Sequence, residues 1–452
     1  MEAISPLDGR YREVVASLRE FFSEHALMRE RCRVEIAYLR MLAGTGLLGR
    51  LEPGELERMA DLEKGFGEAD FLRIKEIEKV HRHDVKACEL FLRERLGLAR
   101  PGMIHFGLTS EDVNNLAWSL LLSRFRDREQ APLAASLCKA LCDLAERYEA
   151  SPFPAHTHGQ IASPTTAGKE LCVFGVRLVR QLATLKRMRF LGKLNGATGT
   201  YAAMYAAFPD FDWVAFSHDF VRQLGLVPNI VTTQIEDHDT WAEYFACVSR
   251  VNNIIMDLDQ DMWSYISRGY FVQEAVRGET GSSTMPHKVN PIHFENSEGN
   301  LAISNALLAM LQDKLCRSRM QRDLSDSTVE RNIGVALAHS MLAMAETLKG
   351  LARVSLDEAA CRAEVEAHPE VLAEAYQTIL RAAGVADAYE RMKDVTRGKA
   401  AGLEELHELA RGLPVDIAVR ESLLALTPAR YIGASVRVCG RARAEIAEEL
   451  RA

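Results

Sequence analysis

Residues 240–268 read TWAEYFACVSRVNNIIMDLDQDMWSYISR, and within them Tyr244, Val248, Val251, Ile255, Leu258, Met262 and Ile266 follow one another at steps of three and four. That spacing places all seven on one stripe of a long helix, the seam by which such helices pack into a bundle. Further helical patterns are expected at 13–43, 53–97, 115–148, 165–192, 292–316 and 327–353. Breaks fall near Gly44-Thr45-Gly46 and Leu51-Glu52-Pro53-Gly54, and Pro132 should kink the 115–148 pattern. No alternating strand pattern competes, so the fold expected is all-α. It would have a central bundle of long helices over 108–353, flanked by smaller helical domains over 1–107 and 354–452.

The composition narrows the function. A chain of 452 residues with 26% charged and 48% hydrophobic residues is globular, and a net charge of −8 argues against a general nucleic-acid binder. Partners are expected to be small molecules. The first ten residues carry no apolar leader and no 18-residue apolar run occurs anywhere, so neither membrane nor export is expected, and the place of work is the cytoplasm. Nine scattered cysteines read as reduced core residues. Cys138 and Cys142 share a helix face but lack a second pair, so no metal is expected there.

Beyond the seam lies a stretch of another kind, GETGSSTMPHKVNPIHFENSEGN over 278–300. Two glycines, three consecutive hydroxyls and two prolines exclude a regular element over its first fourteen residues. Gly281 frees the backbone so that successive N–H groups can converge on an anion, while Lys288 and Asn290 add a charge and an amide. Such a loop suits a substrate that develops negative oxygen. No Gly-Lys-Ser/Thr follows the glycines, so a nucleotide-hydrolase phosphate loop fits poorly.

The run GSSTMPHKVNP resembles the signature loop of the fumarase/aspartase superfamily, and the likeness extends over nearly the whole chain. His287, Val289 and the ENSEGN run are most similar to the branch acting on succinylated purine nucleotides. The resemblance implies an all-α fold, elimination of fumarate from a succinyl arm, no metal or organic cofactor, and a homotetramer with active sites shared between subunits. It implies Ser282 as general base and His158, in Thr-His-Gly-Gln, as general acid, with Ser283, Lys288, Val289, Asn290 and Asn296 against the substrate.

Elsewhere, local chemistry and resemblance offer two readings. Arg10 and Tyr11 sit in a turn-rich segment that could be plain surface; the family implies ligand contacts. His81-Arg82-His83-Asp84 lacks a third metal ligand and could be a solvated helix face; the family implies substrate binding by Arg82, His83 and Asp84. Arg82 departs from the asparagine that enterobacterial members of that branch carry. Thr109 or Ser110 could cap a helix, and that cap could also hold an anion. Gln234 is an isolated amide that the family makes a substrate contact. Arg322, Ser327, Thr328 and Arg331 are implied around a phosphate or ribose, and arginine forks suit phosphate. Ser327-Thr328-Val329-Glu330 also reads as a capping box.

Branches of the superfamily acting on argininosuccinate or on malate carry glutamine or glycine where His287 stands, and need no phosphate site. A non-catalytic helical oligomer is the remaining alternative; intact Ser282, His158 and Lys288 speak against it. A helix over 115–148 spans about 50 Å at 1.5 Å per residue. A nucleotide with a succinyl arm spans only ~15–20 Å, so Thr109 and His158 are expected to reach one ligand from different chains.

Overall fold

The computed structural model describes residues 2–275, 284–285, 287–396 and 402–451, with 394–396 described by their backbone. The seam forms as helix Asp239–Ser267. Tyr244, Val248, Val251, Ile255, Leu258 and Met262 are all buried, and only Ile266, near its end, is half-exposed. Long helices Ile292–Leu315 and Ile333–Leu351 follow.

Where the elements differ from expectation, identifiable residues are responsible. The pattern at 53–97 is three helices, Pro53–Gly65, Glu68–His81 and Asp84–Leu96. Gly65-Phe66-Gly67 makes one break, and Arg82, in the left-handed region at φ 52°, makes the other. The 13–43 pattern begins in turns and becomes continuous only at Glu24–Thr45, where Ser23 Oγ accepts the Ala26 N–H at 3.1 Å. At Pro132 the expected kink is a single π turn, Arg126–Gln130, between Ser110–Phe125 and Ala131–Arg147. Proline lacks the N–H and crowds the carbonyl four residues back, so the ladder widens by one residue ahead of it.

The 327–353 pattern is likewise two helices, Ser325–Glu330 and Ile333–Leu351. The capping box read from Ser327 does not form, because Ser327 is already inside the first of them. Asp323 Oδ1 accepts the Ser325 N–H at 2.8 Å there instead.

Three small two-stranded ladders interrupt the helices: Pro152–Thr157 with Gln160–Thr166, Leu191–Gly192 with Val227–Pro228, and Phe271–Gln273 with Val354–Leu356. The first is an antiparallel hairpin whose register shifts between Phe153 and Ala155. Pro164, which has no N–H for the ladder, lies in the strand segment opposite that shift.

The chain divides into two compact units. The first comprises residues 1–133, 182–253 and 299–343, and the second 134–181, 254–298 and 344–452. The first holds an apolar cluster around Ile36, Met59, Ile74, Phe91 and Ile104; the second holds one around Leu372, Tyr376, Leu380, Leu406 and Leu423. Seven of the nine cysteines are buried, whereas Cys142 is half-buried and Cys316 exposed, contrary to its reading as core. Among the described residues no helix is long and apolar enough to cross a membrane.

Candidate active site

In the first unit, helix ends bring the phosphate-side candidates into one polar network. His83 caps Asp84–Leu96 by accepting the Lys86 N–H on Nδ1 at 3.2 Å, and its Nε2 lies 3.4 Å from Ser110 Oγ. Asp84 follows at the helix start, 2.9 Å from Arg31 and 3.8 Å from Arg331. Burial alone would raise the Asp84 carboxyl, but Arg31, the Val85 N–H and Arg331 together hold it below the usual carboxylate range. From Arg31 the network continues: Nε donates to Asn114 Oδ1 at 2.8 Å, and Asn114 Nδ2 donates to Glu111 Oε2 at 3.4 Å.

Arg322 is the node where this network ends. Its Nη2 lies 3.1 Å from Glu111 Oε2, its Nε 3.7 Å from Asp326, and its Nη1 donates to Gln234 Oε1 at 3.1 Å. Gln234 is held in turn by donating to the Ala197 carbonyl at 2.9 Å. Burial pushes the Glu111 carboxyl up to about 7, against the pull of Arg322 and with the push of Asp326. Arg331 is exposed, and its Nη1 donates to Ser327 Oγ at 2.8 Å. A cavity of about 320 Å³ opens among Ser23, Met28, Arg31, Asp84, Trp118 and Arg331. A second, of about 310 Å³, lies between Arg331 and the N-terminal turn at Ser5, Leu7 and Asp8.

The remaining candidates in this unit stand apart from that network. Arg10 is exposed and lies over the Tyr11 ring at 5.8 Å. Arg82 is exposed and ends a helix, its N–H donating to the Glu78 carbonyl at 2.7 Å. Thr109 is the N-cap of Ser110–Phe125, and its N–H donates to Asp112 Oδ2 at 2.8 Å. Thr328 is exposed, and its carbonyl accepts from Asn332.

The second unit carries the chemistry-bearing candidates on turns. His158 and Gly159 are the two central residues of the 152–166 hairpin, at φ 53° and 74°. Positive φ at both positions is what a type I′ hairpin turn requires, and histidine in that region is uncommon enough to suggest function. The His158 ring is exposed and makes no hydrogen bond or ion pair among the described residues. His156 differs: its ring stacks on Tyr270 at 6.1 Å, its Nε2 lies 3.2 Å from Arg268, and burial with that cation lowers its pKa. Lys288 and Val289 are exposed, and the Val289 carbonyl accepts from Gln273 Nε2 at 3.0 Å. Asn290 is half-buried, as is Asn296 in the first turns of Ile292–Leu315. Ser282 and Ser283 lie outside the described residues.

Sequence reading missed Arg31, Asn114 and Glu111, which carry the network, and Trp118, which lines its cavity. Only Glu111 had a signal, its place two residues after the Thr109 cap. The others look like ordinary helix residues until the fold gathers them.

A chain built almost wholly of helices, several of them long, has the fold of the fumarase/aspartase class of lyases. Among solved structures the fold matches a fumarate lyase from Mesorhizobium sp. BNC1, with a TM-score of 0.79 at 18% identity over 95% of this chain and 97% of that one. A 3-carboxy-cis,cis-muconate lactonizing enzyme from Pseudomonas putida follows at 0.76 and 21%, over 96% and 97%. The family model described as Lyase matches residues 9–304, and that described as Adenylosuccinate lyase C-terminal matches residues 318–432. The chain is 45% identical to the adenylosuccinate lyase of Haemophilus influenzae, over 97% of this chain and 98% of that one. It is 44% identical to that of Escherichia coli K12, over 96% and 97%. The chain belongs to the adenylosuccinate lyase family.

Proposed function

We infer that the chain catalyses the reversible β-elimination of fumarate from adenylosuccinate, giving AMP, and from the succinylaminoimidazole carboxamide ribotide of purine synthesis, giving the carboxamide ribotide. The observation that carries this reading is the 45% identity to an adenylosuccinate lyase over 97% of the chain, with Ser282, His158 and Lys288 present. The Asp84–Arg31–Glu111–Arg322 network supports it against argininosuccinate as substrate, since that molecule has no phosphate for Arg322 and Arg331 to bind.

The bond broken is C–N, and the proton removed lies beside a carboxylate. The difficulty is the carbanion, whose charge spreads onto that carboxylate as a doubly negative oxygen pair. Fixed donors aimed there contribute about 3 kcal/mol each, and Lys288 and Asn290 are the assigned donors. Ser282 takes the proton, which requires its hydroxyl to be deprotonated in positive surroundings. His158 protonates the leaving nitrogen, and Ser283 binds a carboxylate. No metal or organic cofactor enters these steps.

We assign the working form as a cytosolic homotetramer with sites shared between subunits. The support is an unpartnered apolar stripe on Ile292–Leu315: Ala302, Ile303, Ala306, Ala309 and Met310 are exposed at helical spacing. Such a stripe suits a bundle made with other copies.

An ultraviolet assay with adenylosuccinate and argininosuccinate side by side tests the reaction. Turnover of the second alone would sink the reading. Mixing inactive His158→Ala and Ser282→Ala chains under subunit exchange tests the sharing. Random assembly leaves about one site in four intact, and verified hybrids without recovered activity would place both residues within one chain.

A further inference from the structure

Behind Arg322 lies a buried group of side chains that the elimination does not use. His238, in the loop before Asp239–Ser267, is wholly buried and held in the left-handed region at φ 61°. Its Nδ1 faces the Leu315 carbonyl at 3.4 Å, which places the ring proton on that nitrogen and leaves a lone pair on Nε2. Nε2 has no hydrogen-bond partner among the described residues, and lies 3.7 Å from Glu330 Oε1. Glu111 Oε1 is also buried and unpartnered, its other oxygen being taken by Arg322. One ligand atom each from Glu111, His238 and Glu330 fall within 4.8 Å of one another.

We propose that Glu111, His238 and Glu330 form a binding site for one divalent transition-metal ion of the zinc class. The ion ties the first turn of Ser110–Phe125 to the 236–238 loop and to helix Ser325–Glu330. It is a structural tie, and it carries no step of the elimination.

Two independent features support the site. The donor set is one imidazole and two carboxylates, hard and borderline ligands of the kind zinc, cobalt and manganese take. The histidine presents a free Nε2 while its Nδ1 is oriented by a backbone carbonyl, the outer-shell arrangement that most metal-binding histidines have. In a tetrahedral shell with bonds of roughly 2.1 Å the ligand atoms stand ~3.4 Å apart, so closing on the ion takes about 1 Å of side-chain movement.

The test uses the full-length protein, stripped with a chelator and equilibrated with zinc chloride. It is expected to carry about one zinc per chain through gel filtration, measured by mass spectrometry of the metal, and to unfold several degrees higher than the stripped form. Cobalt chloride in place of zinc should give the visible absorption of a bound nitrogen- and oxygen-ligated ion. Glu330→Gln and Glu330→Leu, made separately so that one folded variant suffices, are expected to retain at most about one tenth of the metal. Undiminished retention by a folded variant would put the ion elsewhere. A wild-type protein holding less than about a tenth of an ion per chain would assign the cluster to protons and water. Either result overturns the site.

Discussion

Buried carboxylates find partners unevenly in the two units. In the first, most deep carboxylates face a cation: Glu35 faces His105 at 2.5 Å, Glu89 faces Lys86 at 2.8 Å, Glu111 faces Arg322 at 3.1 Å and Asp112 faces Lys193 at 3.0 Å. In the second, Glu346 faces Lys349 at 2.7 Å, but the deeper Asp259 has only hydroxyl partners nearby, Thr347 Oγ1 at 2.8 Å and Ser297, and its Oδ2 is unpartnered. The candidates follow the same division. Of those assigned to the phosphate end, Arg322 stands on a braced network, whereas His158 and Lys288 stand on exposed turns. Binding a doubly charged phosphate needs donors that do not relax away from it; moving a proton needs a group that reaches the substrate from the rim.

The largest effect expected from this contrast is at His158. His158→Ala should lower kcat by about 10²–10⁴-fold, the range for loss of a general acid. It should leave the melting temperature within about a degree, because an exposed turn side chain contributes little to stability. A substrate analogue whose leaving group needs no proton should recover part of the loss. Equal losses with both substrates would remove the acid role.

How far the sequence reaches is set by the range of the forces involved. The seam at 244–266 is a local repeat, and the helix expected at 240–268 forms at Asp239–Ser267. Short-range features were half legible. Thr109 was read as a possible cap and is the N-cap of Ser110–Phe125, but two glycines flanking Phe66 and a left-handed Arg82 were not read as helix ends. The hairpin was not legible because its strand pair, PFPAHT with QIASPTT, has no regular alternation of apolar and polar residues. The Arg31–Asn114–Glu111 chain was not legible, since each residue is an ordinary helix position and only packing across 83 residues of sequence brings Arg31 to Asn114.

Asp259 offers the next effect, on stability and its pH dependence. Burial, opposed by its hydroxyl partners, raises its carboxyl from 3.8 to about 8. The folded chain therefore holds a proton that the unfolded chain has lost, and stability falls as pH rises from about 4 to about 8. The slope is at most about 1.4 kcal/mol per pH unit for one proton. Asp259→Asn removes that titration, so its gain in stability should grow from pH 5 to pH 8 and reach a few kcal/mol, offset in part by the new amide's need for an acceptor. Denaturant melts at the two pH values read it directly; a gain independent of pH would mean that Asp259 is ionised in the fold.

Arg322 and Arg331 divide the binding network by depth. Each alanine variant removes a charge-assisted contact worth roughly 1.5–3 kcal/mol, so each should raise KM for the nucleotide about 10- to 100-fold. The dephosphorylated substrate should be indifferent to both. Arg322→Ala should also destabilise the protein, because it strands Glu111 at 1% side-chain exposure, whereas Arg331, 59% exposed, should be neutral to stability. If the dephosphorylated substrate suffers as much as the nucleotide, the arginines brace the fold and do not bind phosphate.

The smallest effect separates a helix end from a ligand contact at Arg82. Its φ of 52° lies where a side chain is strained unless it is glycine, asparagine or aspartate, and it ends Glu68–His81 by donating its N–H to the Glu78 carbonyl. Replacement by asparagine or glycine relieves that strain while keeping the cap, and should stabilise the protein by about 0.5–1 kcal/mol. His83 and Asp84 keep their places in Asp84–Leu96, because His83 caps that helix through its own ring and Asp84 is held by Arg31. KM should then stay within about twofold of the parent, which corresponds to less than ~0.5 kcal/mol. A KM rise of tenfold or more in Arg82→Asn, with the protein at least as stable as before, would instead make Arg82 an anion contact. The phosphate end would then draw on an exposed turn as well as on the braced network, and the division between the two units would weaken.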